Sequence, residues 1–178
     1  MNRIIVMGVS AGAGKSTFAK KLGDLLDLRV YHLDSLFWKP GWQEATLEEF
    51  RASQETVAAN SSWIIEGNYS SSFDIRAPRA DTLIYLEIPR LVCIYRVLKR
   101  WFTHIGQTRS DMGSGCKEKM EWSFLKFIWT TYYPRKQKMK KRFAQFQQMG
   151  PEKNVILLRN KAEIINFLHE LETNHTIL

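Results

Sequence analysis

The stretch that most constrains the fold lies near the start of the chain, where residues 4–26 read IIVMGVSAGAGKSTFAKKLGDLL. An apolar run ends at Gly8, a loop of small residues follows, and a helix-forming pattern begins at Lys15. A strand, a glycine-bearing loop and a helix in this order are the context that a phosphate-binding loop requires. The order therefore predicts an α/β fold with a phosphate site at the N-terminus of its first helix.

The residues of this loop predict how a nucleotide would be held. Two glycines allow the main chain to curl, so that successive N–H groups point into one concavity. The lysine would reach the β- and γ-phosphates, and the hydroxyl of the next residue would ligate Mg²⁺. ATP and Mg²⁺ are therefore the expected ligands. The candidate nucleotide-binding residues are Ser10, Ala11, Gly12, Ala13, Gly14, Lys15, Ser16 and Thr17.

One position departs from the strict pattern G-x-x-x-x-G-K-[ST], which requires a glycine where this chain has Val9. Gly8 comes one residue too early, whereas the phosphate-wrapping part AGAGKST is intact. We expect the departure to alter only how the strand enters the loop. The alternative is a glycine-rich turn that opens an ordinary helix, with Lys15 on the surface.

Short apolar runs alternate with helical patterns along the remainder of the 178 residues. Strands are predicted at 3–7, 29–34, 63–68, 81–88 and 154–158. Helices are predicted at 15–27, 47–60, 90–102, 118–131, 135–149 and 161–172, with Pro134 separating two of them. This alternation predicts a parallel sheet covered by helices on both faces. We expect one domain, residues 1–178, with a helical basic lid region inserted at about 96–120.

The net charge of +8 is distributed unevenly. Residues 90–142 carry fourteen Lys and Arg against three Asp and Glu, a net charge of +11, so the rest carries −3. Such a basic region could close on anionic substrates or could bind nucleic acid. The two cysteines have no C-x-x-C spacing, and no apolar segment is long enough to span a bilayer. We therefore expect a cytoplasmic protein without a membrane partner.

Polar residues follow the predicted strands, at the sheet edge where ligands bind in folds of this kind. Asp34 is a candidate catalytic base or ligand of a metal-bound water, and the alternative is an Asp that forms a turn. Glu66 is a candidate for orienting the waters of a metal ion, and the alternative is a solvated glutamate. Asn68, Tyr69 and Arg76 would line the acceptor side, although a loop arginine is often a surface charge. Trp38 could stack on a substrate or anchor its own loop.

Three arginines could neutralise the phosphoryl group during transfer. Arg96 and Arg100 are four residues apart on one predicted helix face, and Arg109 follows in a glycine-flanked loop. Arginines brought in at closure can raise phosphoryl-transfer rates by about 10³–10⁵. The alternative is a solvated basic helix face.

The segment from Arg135 to Arg142 contains six basic residues among eight and follows several aromatic residues. Basic and aromatic residues adjoin on surfaces that bind nucleic acid. However, the aromatic residues fall at helical spacing, which is typical of core positions. We prefer a solvated helix face that packs the lid.

The motifs GKST, Asp34, EGN and the paired arginines resemble those of the adenylate-kinase-like P-loop kinases. More closely, nearly the whole chain resembles the DNA topology modulation proteins, through HLDSLFWKPGW, WIIEGNYSSSFDIR, ADTLIYLE, RVLKRW and TRSDMGSGCKEK. The resemblance implies a P-loop NTPase three-layer sandwich, with a five-stranded parallel sheet in the order 2-3-1-4-5 and a helical lid. It also implies that Gly67 belongs to an acidic–glycine pair on the substrate side, and that Arg159 lies where adenine is held.

These observations favour an ATP-dependent phosphotransferase that moves the γ-phosphate of ATP-Mg to a small acceptor. The chain lacks the acceptor-site signature of a nucleoside monophosphate kinase, so the acceptor is open. The alternative is a nucleotide-dependent regulator that binds DNA through the basic segment. A third hypothesis, a packing domain with a degenerate nucleotide site, is disfavoured by the complete GAGKST sequence.

Overall fold

Short buried strands alternate with helices in the computed structural model, which describes residues 1–103, 115–116 and 121–176. The strands are β1 (Arg3–Gly8), β2 (Val30–His32), β3 (Trp38–Lys39), β4 (Gln43–Glu44), β5 (Trp63–Glu66), β6 (Thr82–Leu86) and β7 (Asn154–Leu158). The helices are α1 (Lys15–Leu26), α2 (Leu33–Phe37), α3 (Leu47–Ala58), α4 (Phe73–Arg76), α5 (Arg90–Thr103), α6 (Trp122–Gln147) and α7 (Lys161–Thr176). Much of the predicted lid, including Arg109, lies outside the described residues.

Five of the strands form one parallel sheet in the order β2-β5-β1-β6-β7. Counted among themselves along the chain, these five strands have the predicted order 2-3-1-4-5. β1 is central, and its residues Ile4, Ile5 and Val6 are fully buried. A continuous apolar run suits such a strand because helices cover both faces of the sheet. The predicted fold class is therefore confirmed.

The helices close the core against this sheet. α1 lies beside α7, where the rings of Phe18 and Phe167 are 6.2 Å apart. α6 packs on β6, where Phe143 meets Tyr85 edge to face with ring centroids 5.4 Å apart. Cys93 is fully buried in α5, and burial raises the pKa of its thiol to about 11. Within the described ranges, no helix combines the length and apolar character that a membrane crossing needs.

The region after β2 differs from the prediction. The strand ends at His32, and residues predicted as strand end and loop form α2 and the two-stranded hairpin β3–β4. Leu33 is fully buried against Gly67, where an added Cβ would lie 2.7 Å from the Cβ of Leu33. Leu33 is also the first residue of α2, so the helix begins directly after β2. Asp34 therefore lies in the first turn of α2.

The predicted helix break at Pro134 is wrong, because α6 runs through it as one helix of 26 residues. Ile128 and Tyr132 are buried before the proline, and Met139 and Phe146 are buried after it. Packing on both sides therefore keeps the two halves in one helix. Pro134 itself lies on the exposed side of α6, where water can bind the carbonyl that lacks a helical partner.

Candidate active site

The phosphate loop joins the end of the central strand to the start of α1, as the sequence predicts. Gly12 and Gly14 have φ angles of 75° and 92°, in the left-handed region that favours glycine. At Gly12 an added Cβ would lie 2.2 Å from the carbonyl oxygen of Cys93, so α5 also passes too close for a side chain. These two glycines let the chain curl at the N-terminus of α1, which is the geometry that anion binding needs.

The departure at Val9 is accommodated at the end of the strand. The Val9 amide donates to the Leu86 carbonyl at 2.9 Å, which continues the pairing with β6 by one residue. Its side chain is fully buried in the core, and Ser10 is also fully buried. Val9 therefore extends the strand by one residue, and the curled part of the loop at Gly12 and Gly14 remains as the motif requires.

A cluster of polar side chains surrounds the start of α1. Lys15 Nζ lies 3.9 Å from Glu66 Oε1, and the Ser16 hydroxyl donates to Glu66 Oε2 at 3.1 Å. His32 Nδ1 lies 2.9 Å from the same carboxylate oxygen. Glu66 is only 3% exposed, so its carboxylate is largely held by these three neighbours. β1, β2 and β5 bring the cluster together because their carboxyl ends share one edge of the sheet.

The oxygen atoms of this cluster fit a Mg²⁺ ion. A hard cation prefers carboxylate and hydroxyl oxygens, which Glu66 and Ser16 place side by side. Among the described residues no group of three or more His, Cys, Asp and Glu side chains could hold a metal ion. Mg²⁺ commonly fills such a coordination shell with water and substrate phosphates. The chemistry of the donor set therefore suits a metal that arrives with a nucleotide.

Asp34 and Tyr69 meet near the carboxyl ends of β2 and β5. The Tyr69 hydroxyl donates to Asp34 Oδ1 at 2.8 Å. Burial, together with the nearby Asp34 carboxylate, raises the pKa of Tyr69 far above its ordinary value, which keeps the phenol protonated. The tyrosine ring packs against Phe37 and Phe50, at centroid distances of 5.0 and 4.8 Å. A fixed phenol thus orients the Asp34 carboxylate.

Two residues predicted to bind substrate have internal partners. The side-chain amide of Asn68 bonds the main chain of Gly8. Arg76 is fully buried, and its Nη1 donates to Gln54 Oε1 at 2.9 Å while its Nη2 donates to the Tyr69 carbonyl at 2.8 Å. Burial lowers the pKa of Arg76 to about 9. Arg76 is therefore an internal residue that supports the main chain of Tyr69, and its guanidinium is not exposed for substrate contact.

The remaining predicted residues lie around the same edge. Arg96 reaches from α5 to the phosphate loop and donates to the Ala13 carbonyl at 3.1 Å, and Arg100 lies one turn further along that helix. Trp38 opens the β3–β4 hairpin and meets Trp42 edge to face at 5.3 Å. Arg159 is exposed just after β7, and its main-chain amide donates to Glu163 Oε2 at 2.7 Å.

The basic segment 135–142 is partly used inside the protein. Lys136 pairs with Glu87 at 2.9 Å, and the guanidinium groups of Arg135 and Arg142 lie over the rings of Phe127 and Phe73. The remaining three basic residues are exposed, namely Lys138, Lys140 and Lys141. Lys136 and Arg142 therefore attach α6 to its neighbours, whereas Arg135 packs along α6 itself.

His32 is the site residue that sequence reasoning missed. It lies in the apolar run RVYHLD, which reads as an ordinary buried strand. A polar residue near the carboxyl end of a parallel strand was the available signal, because that edge carries the ligands.

The chain is similar to solved structures of small-molecule kinases. A shikimate kinase from Bacteroides thetaiotaomicron is 16% identical with a TM-score of 0.56, and the match covers 98% of each chain. A gluconokinase from Sinorhizobium meliloti 1021 is 17% identical with a TM-score of 0.53, over 99% of this chain and 96% of that one. A shikimate kinase from Acinetobacter baumannii, in complex with shikimate, is 13% identical with a TM-score of 0.51, over 98% and 95%.

At such low identity these similarities establish the fold, which is that of the P-loop kinases. No protein-family profile matches the chain, and no curated protein matches it. The resemblance to the DNA topology modulation proteins therefore stays a hypothesis.

Proposed function

We propose that the protein is an ATP-dependent phosphotransferase that transfers the γ-phosphate of ATP to a hydroxyl group of a small molecule. The observation that carries the proposal is the cluster of Lys15, Ser16 and Glu66 at the left-handed glycine loop. This cluster combines an ammonium group, a hydroxyl and a carboxylate where a triphosphate and its metal would bind. The kinase fold of the solved neighbours supports it.

In this proposal the loop residues 10–17 cradle the phosphates, and Lys15 contacts the β- and γ-phosphates. Ser16 and Glu66 would hold Mg²⁺, which neutralises phosphate charge when bound. Arg159 would lie beside the adenine.

Asp34 would act on the acceptor. It accepts the proton of the attacking hydroxyl while the new oxygen–phosphorus bond forms and the bond to the β-phosphate oxygen breaks, which releases ADP. Tyr69 holds the carboxylate in place for this role. Trp38, Gly67 and Asn68 border the acceptor side, and Arg96, Arg100 and Arg109 would neutralise the transferring group.

The Lys15→Ala variant tests the proposal. We expect ATP with Mg²⁺ to raise the melting temperature of the natural protein, because a ligand that binds only the folded state stabilises it. Lys15→Ala should lose this shift and any turnover, because it removes the ammonium group from the phosphate site. Lys20→Ala is the matched control, since Lys20 is exposed on the same helix. Equal ATP shifts in Lys15→Ala and the natural protein would contradict the proposal.

The acceptor can be found by the same measurement. A panel of small hydroxylated metabolites and nucleoside monophosphates, each added with ADP and Mg²⁺, should contain a compound that raises the melting temperature further. Asp34→Asn keeps a hydrogen-bond acceptor for Tyr69 but cannot take a proton. We expect it to retain acceptor binding and to lose turnover by at least about 100-fold.

A further inference from the structure

The inference concerns Asn68, which follows β5, and it rests on the proposed function. β1 gives alternate main-chain groups to its two neighbours in the sheet. On the β5 side the Trp63 amide donates to the Asn2 carbonyl at 2.8 Å, and the Gly67 amide donates to the Val6 carbonyl at 3.1 Å. Gly8 is the next residue of β1 in this series, and it comes just before the phosphate loop.

The main chain of the β5 side does not continue to Gly8. Gly67 has a φ angle of 148° and turns the chain away from the ladder. The side chain of Asn68 takes the vacated place. Its Oδ1 accepts from the Gly8 amide at 3.0 Å, and its Nδ2 donates to the Gly8 carbonyl at 2.7 Å. One carboxamide therefore supplies both the acceptor and the donor that two alternate residues of a continuing parallel strand would have supplied.

The position of Gly8 matters for the phosphate site. An added Cβ at Gly8 would lie 2.9 Å from Lys15 Cγ and 3.0 Å from Ala13 Cβ, so the lysine side chain passes directly over this residue. A shift of Gly8 would therefore displace the main chain against which the Lys15 side chain packs. The next residue after Asn68 is Tyr69, which orients Asp34. Asn68 thus joins the nucleotide side to the acceptor side at one point of the sheet edge.

We infer that Asn68 is a positioning residue that holds the phosphate loop. Its side chain pairs the amide and carbonyl of Gly8 in place of the main chain of a continuing β5. This role explains how the phosphate loop keeps its position although Val9 occupies the place of the first motif glycine and Gly8 comes one residue early. It also replaces the predicted role of Asn68 as a substrate contact.

The variants Asn68→Asp and Asn68→Ala distinguish this role from direct ligand contact. The carboxyl of Asn68→Asp is nearly isosteric with the amide, but in its ionised form it presents an oxygen to the Gly8 carbonyl and cannot donate. Asn68→Ala has neither bond.

ATP affinity is measured by calorimetry at pH 8.0 for the natural protein and both variants. We expect ATP binding to be about 10-fold weaker in Asn68→Ala, which loses two hydrogen bonds, and weaker still in Asn68→Asp, whose ionised carboxylate faces the Gly8 carbonyl.

Natural affinity in both variants would overturn the inference, and so would tighter ATP binding by Asn68→Asp than by Asn68→Ala. Amide hydrogen exchange gives a second measurement that does not depend on ATP. The Gly8 amide should be protected in the natural protein and should exchange at least about 10-fold faster in folded Asn68→Ala. Unchanged protection would count against the role of Asn68. Failure of the natural protein to bind ATP would instead count against the proposed function.

Discussion

Val9 shows at the scale of one residue why a motif must be interpreted with its surroundings. A substitution to glycine would restore the strict phosphate-loop pattern, yet Val9 is fully buried and its amide extends the sheet. We expect Val9→Gly to lower the free energy of unfolding by roughly 2–4 kcal/mol, because it removes buried methyl groups and adds chain entropy. Urea unfolding at 25 °C measures this loss.

Val9→Ala is the matched control for Val9→Gly. Val9→Ala removes the two γ-methyl groups but keeps Cβ and adds no backbone freedom. Its loss of stability should therefore be smaller. ATP affinity should not improve in either variant, since the curled part of the loop begins after Val9. Tighter ATP binding by a fully stable Val9→Gly protein would show that the loop adopts the strict register instead.

Single residues are also where sequence alone predicted least. The phosphate loop was predictable because glycine and lysine spacing there has a direct backbone reason. The burial of Arg76 was not predictable, because an arginine becomes internal only when tertiary partners accept its hydrogen bonds. Here Gln54 and the Tyr69 carbonyl are among those partners. His32 was missed for a related reason, since its partner Glu66 is 34 residues away.

At the scale of one element, Pro134 lies inside α6 and should cost stability there. Proline lacks the N–H that would bond the carbonyl one turn earlier, and its ring crowds that carbonyl. We expect Pro134→Ala to raise the free energy of unfolding by about 1–2 kcal/mol, which allows for the greater entropy of the unfolded chain. Thermal and urea unfolding measure the gain.

Gln137→Ala is the control for Pro134→Ala, because Gln137 is exposed on α6 less than one turn later. It should change stability by only a few tenths of a kcal/mol. A Pro134→Ala protein that is no more stable than Gln137→Ala would mean that α6 accommodates the proline without a loss of stability. The sequence predicted a break here because local propensity says nothing about the buried residues that flank it.

The start of α3 gives a pH-dependent prediction for an element. Thr46 and Glu49 form a capping box there, and Lys39 donates to both oxygens of the Glu49 carboxylate. The Lys39 and Thr46 hydrogen bonds lower the pKa of Glu49 from 4.5 to about 2. The folded state therefore favours the ionised carboxylate, and this stabilisation is present above about pH 4.5 and is lost as the pH falls to 2.

We expect Glu49→Gln to lower the urea midpoint at pH 7, and we expect the difference from the natural protein to shrink between pH 4.5 and pH 2. Glu48→Gln is the control, since Glu48 lies in the same first turn. Its effect should be smaller and should not follow this pH range. A Glu49→Gln deficit that is as large at pH 2 as at pH 7 would disagree with the hydrogen-bonded carboxylate.

At the scale of the whole molecule, the order of strands and helices was the most predictable feature. Five apolar runs separated by helices allow few arrangements, because parallel strands need right-handed crossover connections. The same order brings Lys15, His32, Glu66 and Asp34 to one sheet edge. Their partners were not predictable, because tertiary packing decides that Ser16 and Lys15 both meet Glu66.

The charge of the whole molecule bears on the DNA-binding hypothesis. In the basic segment of the described chain, Arg135, Lys136 and Arg142 have internal partners. Three exposed lysines remain in that segment. Each neutralised phosphate adds about 0.9 to the slope of log affinity against log salt, so this surface supports a slope of at most about 3.

We therefore expect only weak binding of duplex DNA, detectable at 50 mM salt and lost at 200 mM, as fluorescence anisotropy of a labelled duplex would measure. The combined variant Lys138→Ala, Lys140→Ala and Lys141→Ala should remove it and leave the ATP shift intact, because these lysines are exposed on α6. If DNA binding has a much steeper slope and strengthens when ATP is added, the nucleotide site controls a DNA surface. In that case the regulator hypothesis would replace the phosphotransferase hypothesis. A slope steeper than three lysines can produce would mean that DNA contacts more of the basic region than these three side chains.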